Sequence, residues 1–143
     1  MFERMLVPLD GSDLARAILP RVQAMAAPLG SEVMLLQILG EAGVLPKTAA
    51  KERREAEEHL KAAAQELLDA GVNARYTIRH GLDAAAEIVD YAEVKDVDLI
   101  AMSTHGRSGI SRWVFGSVAS KVLRGTAKPI LVIRAPGAHV TMA

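Results

Sequence analysis

Cysteine is absent from the 143-residue chain. Its absence excludes disulfides, thiolate nucleophiles and Cys-ligated metals, and it fits a cytosolic protein. Aromatic residues make up only 3%, and 17 Lys plus Arg balance 17 Asp plus Glu for a formal net charge of zero. Nucleic-acid binders usually combine a basic excess with stacking rings, so no nucleic-acid partner is expected. No apolar run approaches the roughly 20 residues needed to span a bilayer, and Met1-Phe2-Glu3-Arg4 does not begin a basic-then-apolar leader. A soluble, cytoplasmic protein with no membrane association is therefore expected. Two common nucleotide signatures are missing as well. No Gly-Lys-Ser or Gly-Lys-Thr follows a glycine-rich loop, and the dinucleotide fingerprint of three spaced glycines does not occur.

What is present suits one folded domain, expected over residues 1–135, with a loose tail at 136–143; 50% of the chain is apolar. Met5 to Leu9 reads as a strand that stops at the turn cluster Asp10-Gly11-Ser12. Leu14, Ile18, Val22, Met25 and Leu29 recur at helical spacing. Pro20 interrupts that pattern at a cost of about 3 kcal/mol in an unadapted helix, so a kink or break is expected there, with Gly30 as the end. Val33 to Leu39 is almost continuously apolar, as a strand buried on both faces should be. After a loop over residues 40–47 comes a charged helix, Lys51 to Ala70. Its pairs Lys51 with Glu55, Arg53 with Glu57 and Arg54 with Glu58 stand four apart on a solvated face, while Ala56, Leu60, Ala63 and Leu67 make the buried stripe. Gly71 caps it. Val72 to Arg79 alternates like a half-buried strand near a sheet edge, with Ala74, Tyr76 and Ile78 on one side. Asp83 starts a third helix carrying Ala85, Ile88, Val89 and Ala92. Val97 to Met102 is a fourth strand, Val118 to Arg124 a short helix, and Ile130 to Ile133 a fifth strand.

Strands and helices alternate throughout. That favours an α/β fold with a parallel sheet covered on both faces and right-handed crossovers. Ligands of such sheets bind beyond the carboxyl ends of the strands, where the strand order reverses. The loops after Leu9, Ile38 and Met102 are expected to surround one crevice.

The stretch Ser103 to Ser117 is the strongest chemical signal. It joins a strand to a helix and concentrates small and hydroxyl residues, which lets backbone N–H groups approach an anion at a helix start. Phosphate would be held around Gly106, Gly109, Gly116 and Ser117. Spacing alone fits ordinary turn and cap residues equally well. Asp10 suits ribose hydroxyls or a helix cap. His105 reads as a hydrogen-bonding loop residue more readily than as a catalyst, and Arg107 suits a phosphate or solvent. His59, His80 and His139 are too scattered to suggest a metal site. Trp113-Val114-Phe115 suits packing under the loop or a contact with a second subunit or another protein.

Val7-Pro8-Leu9-Asp10-Gly11-Ser12, Thr104-His105-Gly106-Arg107-Ser108-Gly109, Gly116-Ser117-Val118 and Lys128-Pro129-Ile130-Leu131-Val132-Ile133 together resemble the universal stress protein family, in the right order and over nearly the whole chain. The resemblance implies a single-domain Rossmann-like fold of the adenine nucleotide alpha hydrolase type, with a five-stranded parallel sheet of order 3-2-1-4-5. It also implies a homodimer and, in one branch, ATP in the crevice. That branch resembles Gly, two residues, Gly, nine residues, Gly, then Ser or Thr. Gly106, Gly116 and Ser117 match, whereas the first position is Ser103. By the same resemblance Asp10 contacts ribose, the backbone at Ile38 meets the adenine edge, and Pro8 and Met102 lie against base or sugar. The expected nucleotide-contacting set is Pro8, Leu9, Asp10, Ile38, Met102, Ser103, His105, Gly106, Arg107, Gly109, Gly116, Ser117 and Val118. ATP, with or without magnesium, or ADP or AMP is the expected ligand. The homodimer is expected through Ile130 to Ile133, an apolar edge strand that invites pairing with its own copy.

These features are read as a nucleotide-binding stress-response sensor or regulator. Two alternatives stay open: a dimeric interaction module that binds no nucleotide, which Ser103 allows, and a slow ATPase, for which no evident base or metal site is visible. RNA binding through Gly106-Arg107-Ser108-Gly109 fails on context, because a K-homology loop joins two helices and this one follows a strand.

Overall fold

A computed structural model describes residues 1–40, 46–104 and 116–134, apart from the side chains of Leu14 and Pro46. The expectations for His105, Gly106, Arg107, Gly109, Trp113 to Phe115, His139 and the tail lie outside the described residues.

Five strands form one parallel sheet in the order β3-β2-β1-β4-β5. They are β1 (Arg4–Pro8), β2 (Glu32–Leu39), β3 (Ala74–His80), β4 (Leu99–Ser103) and β5 (Ile130–Ile133). The helices are α1 (Asp13–Arg16), α2 (Leu19–Leu29), α3 (Pro46–Asp69), α4 (Ala84–Val94) and α5 (Ser117–Gly125). Side chains on a strand alternate between faces, and β2 shows the consequence. Val33 and Leu35 enter a core with Ile18, Leu19, Val22, Leu60 and Leu67 from α2 and α3 and their approach. Met34 and Leu36 enter the opposite core with Ile88, Ala92, Ala119 and Val122 from α4 and α5. The apolar run of β2 thus serves two helical layers, as its continuity predicts.

The helix breaks slightly before Pro20. Ser12 caps α1 by accepting from the Ala15 N–H, and the chain reorganises at Ala17 and Ile18 so that Pro20 falls in the first turn of α2. A proline there forfeits an N–H that has no helical acceptor anyway, so its usual cost vanishes. Across the break the expected stripe holds at Ile18 and Val22, which are buried, and at Met25, which packs on the same core. Leu19, Val22 and Ala26 are the buried residues of α2, while Leu29, expected on the core face, is 46% exposed in the last turn. Gly30 ends α2 at φ +65°, a left-handed conformation that costs glycine no steric clash.

On α3 the expected stripe is buried throughout at Ala56, Leu60, Ala63 and Leu67. Two of the three expected surface pairs close: Lys51 with Glu55 at 3.8 Å and Arg53 with Glu57 at 3.9 Å. Asp83 caps α4 by accepting from the Ala86 N–H at 3.2 Å. Both β3 and β5 lie at sheet edges.

The strand order reverses at β1, whose neighbours are β2 on one side and β4 on the other. The crossover from β1 to β2 runs through α1 and α2 on one face, and the route from β4 to β5 runs through α5 on the other. At the carboxyl ends of β1 and β4 the chain therefore departs to opposite faces and leaves a gap between its exits.

Candidate functional site

That gap is a crevice of about 920 Å³. Pro8 to Gly11 line it from the end of β1, Leu36 to Gly40 from β2, Met102 to Thr104 from β4, and Gly116 to Ala119 from the start of α5. Ala84 and Ile88 of α4 close one side, and Glu52, Glu55, Ala56 and His59 of α3 close the other. A smaller hollow of about 290 Å³ between α3 and the amino end of β3, lined by Lys61, Gln65, Leu68 and Tyr76 among others, lies away from the carboxyl ends of the strands.

The start of α5 is built to meet an anion. Gly116 is its N-cap, at φ −58° and ψ 157°, and no side chain caps the helix. The Gly116 N–H donates to the Thr104 carbonyl at 2.9 Å, while the Ser120 N–H takes up the Gly116 carbonyl at 3.0 Å. Between them, the N–H groups of Ser117, Val118 and Ala119 belong to the first turn, where no helical acceptor exists. Their dipoles sum to roughly half a positive charge at this end. The Gly116 N–H, expected among the phosphate donors, is thus committed to Thr104. The donors fall one to three residues later. The same bond ties the end of β4 to the start of α5 across residues 105–115, and the Thr104 N–H holds the Ile133 carbonyl at 3.0 Å.

Asp10 sits at the mouth of β1. Its Oδ1 accepts from the Ser12 N–H at 2.9 Å and from the Ser12 hydroxyl. Ser12, in turn, is the residue that caps α1, so Asp10 braces the cap instead of forming it. Gly11 between them has φ +85°, which the tight turn requires. Ser103, the last residue of β4, is half-buried, pairs with Ile133 and lines the crevice. Met102 is buried in the α4–α5 core and presents an apolar wall.

Ile38 offers main-chain groups. The β1–β2 register ends with Pro8 opposite Leu36, and the Leu9 N–H reaches the Leu36 carbonyl at 2.8 Å. In a parallel ladder alternate residues bond to alternate neighbours, so the N–H and C=O of Ile38 point toward β1 just past the place where β1 ends. Such a donor and acceptor pair suits the edge of a base.

Sequence reasoning brought Pro8, Leu9, Asp10, Ile38, Met102, Ser103, Gly116, Ser117 and Val118 to this site, and all of them line the crevice. It missed Gln37 and the α3 wall. His59 was set aside because the histidines are scattered along the chain. Yet position 59 lies three after Ala56 and four before Ala63, on the face that α3 turns inward. His80 lies apart, with Arg53 3.1 Å from its Nε2. Among the described residues no group of three or more His, Cys, Asp or Glu stands close enough to hold a metal.

His59 is half-buried, with both ring nitrogens shielded from solvent and without a hydrogen-bond partner. Desolvation first, and then the Arg16 guanidinium, push its pKa below the ordinary histidine value of 6.5; Asp13 and Asp10 pull it back in part. Around neutral pH the folded and unfolded rings are both neutral. As pH falls through about 6.5 the unfolded chain takes up a proton that the folded ring resists, so stability declines until the folded ring titrates too. His59→Gln removes this contribution. Between about pH 7.5 and about pH 5 the unfolding free energy of the parent should therefore fall more steeply than that of the variant, measured by urea denaturation. Parallel profiles would contradict the burial described for this ring.

A doubly wound α/β domain with a crevice of mixed polar and apolar lining at its switch point has the architecture of Rossmann-like ligand-binding proteins. The chain belongs to the universal stress protein family, whose model matches residues 1–134. It is 30% identical over 149 residues to the universal stress protein YxiE of Bacillus subtilis, covering 94% of this chain and 100% of that one. Among solved structures it is similar to that of protein MJ0577 of Methanocaldococcus jannaschii, with a TM-score of 0.86, 30% identity, and coverage of 96% and 99%. A universal stress protein from Archaeoglobus fulgidus in complex with dAMP has a TM-score of 0.74 to this chain, with 25% identity and coverage of 93% and 99%. Among the described residues no helix is long and apolar enough to cross a membrane.

Proposed function

We propose that this protein binds an adenine nucleotide in the switch-point crevice and acts as a stress-response regulator whose occupancy alters its dimer or its choice of protein partner. The observation that carries this reading is the uncapped start of α5, which turns the N–H groups of Ser117, Val118 and Ala119 toward a crevice that also exposes the main chain of Ile38. One end suits phosphate and the other suits a base. The dAMP complex of the Archaeoglobus fulgidus relative supports the same ligand class. A volume of about 920 Å³ lies within the range of small-molecule sites and admits a triphosphate as readily as a monophosphate. Magnesium, where it accompanies ATP, would be held chiefly by phosphate oxygens and water. The reading has the protein cytoplasmic, in keeping with its lack of cysteine.

Calorimetric titration of the full chain with ATP, ADP and AMP, with and without magnesium, tests it. Saturable binding below millimolar concentration is expected, strongest for the ligand whose phosphates best fill the α5 site. No heat at millimolar nucleotide would discard the proposal in favour of a second reading, an interaction module without nucleotide. The observation on that side is Ser103, whose side chain stands where the ATP-binding pattern has glycine. Either reading uses β5 as a dimer edge, since Ile130, Leu131 and Val132 are only half-buried there. Sedimentation with and without nucleotide reports the coupling.

A further inference from the structure

The two walls of the crevice differ in chemistry. On the α5 side stand main-chain donors. On the α3 side stand Gln37 and His59, and neither is explained by the fold. Gln37 breaks the apolar run of β2, and alternation sets it with Val33 and Leu35, the β2 residues that face α2 and α3. It is 4% exposed, lines the crevice, and its Oε1 has no hydrogen-bond partner. His59 enters the same crevice from α3, and both of its ring nitrogens are likewise shielded and unpartnered. Native proteins rarely leave buried polar atoms unpaired, and two such side chains on one cavity wall point to a partner that arrives from outside.

The chemistry of the wall restricts that partner. A carboxamide oxygen accepts hydrogen bonds and repels phosphate oxygens. Asp10, Glu52 and Glu55 line this same side and add negative charge. The anionic end of a ligand therefore belongs at α5, and its uncharged end belongs here. A carboxamide holds an acceptor beside a donor, which is the complement of the amino group and adjacent ring nitrogen of adenine. Ile38, next in the chain, supplies the neighbouring main-chain pair.

We propose that Gln37 and His59 form the base-reading subsite of the crevice, with Gln37 Oε1 accepting a hydrogen bond from the exocyclic amino group of adenine. This rests on the nucleotide reading above. His59 lines the base or ribose as a neutral ring with one donor and one acceptor nitrogen.

The test pairs one protein change with one ligand change. ATP and purine riboside triphosphate, which lacks the amino group, are titrated into the parent and into Gln37→Leu. The parent should lose about tenfold in affinity when the amino group is removed, and Gln37→Leu should lose about tenfold for ATP. The penalty for the missing amino group should then be several-fold smaller in the variant, where the Ile38 main chain alone still meets that edge. Inorganic tripolyphosphate, which reaches only the α5 end, should bind both proteins equally. Gln37→Leu removes an orphaned buried oxygen at similar volume and should melt no lower than the parent; Gln37→Met serves as a second variant if it does. Unchanged ATP affinity in the variant, or an equal penalty for the missing amino group in both proteins, would overturn the subsite while leaving nucleotide binding intact. Failure of the parent to bind ATP would overturn the nucleotide reading and the subsite with it.

Discussion

Ser117→Asp is expected to strengthen the fold slightly and to destroy nucleotide binding, two effects of opposite sign from one carboxylate. The first turn of α5 carries no acidic residue, and its N-cap is a glycine without a side chain. A negative charge at a helix start gains about 0.3–1 kcal/mol from the dipole and from hydrogen bonds to the open N–H groups. The variant should accordingly melt no lower than the parent. The carboxylate would, however, occupy the donors assigned to phosphate. Two like charges about 4 Å apart repel by about 4 kcal/mol at an effective dielectric constant of 20, so a loss of at least about 100-fold in ATP affinity is expected. Ser117→Ala separates charge from hydroxyl. It removes one neutral hydrogen bond and should cost about tenfold or less. Parent-like affinity in Ser117→Asp would mean that the anion is held elsewhere.

The assignment of donors shows where a sequence stops being informative. Gly116 and Ser117 are adjacent, and spacing makes them equivalent candidates. Only a contact across residues 105–115, the bond from the Gly116 N–H to Thr104, removes the first and leaves the second. Long-range partners have no local signature. Local ones do. Gly30 and Gly71 marked helix ends correctly because both adopt the positive φ that glycine favours. Asp83 marked a helix start because its carboxylate has an N–H within reach three residues on. The break before α2 lay between these cases. Pro20 signalled that a helix could not run through it, but the break falls at Ala17 and Ile18, where the buried Ile18 and Leu19 seat the start of α2 in the core.

The α3 wall was hidden for a different reason. A run of Lys, Arg and Glu reads as a solvated face, and most of it is one. The helix nevertheless runs 24 residues, longer than the sheet it covers needs. From Leu60 onward it packs on β2 and β3 through Leu60, Ala63, Ala64 and Leu67, while the turns before Leu60 reach the strand ends and bring Glu52, Glu55 and His59 to the crevice. Gln37 carried a usable signal, as the lone polar residue between Val33 and Leu39. A polar side chain in a doubly buried strand needs a partner, and no apolar neighbour can supply one.

The seat of α3 yields the largest expected change in stability. Leu60 is fully buried, whereas Leu68, two turns along the same helix, is 46% exposed. Leu60→Ala deletes buried methyl groups among Ala63, Ala64 and Leu67 of its own helix and the Val33 and Leu35 face of β2, and small neighbours fill a cavity poorly. The cost should be about 2–5 kcal/mol, against a total of about 5–15 kcal/mol for a typical domain. Leu68→Ala should stay within about 0.5 kcal/mol. Urea unfolding with equal slopes for parent and variants measures both. Leu60 follows His59 directly, so the same cavity loosens the turn that holds the α3 wall against the crevice. Under conditions where Leu60→Ala remains folded, its ATP affinity should fall while its tripolyphosphate affinity holds, because the α5 donors belong to the opposite core. Equal costs for the two leucines would refute the packing of α3. A parallel loss of both ligands would place the two halves of the crevice under one structural control.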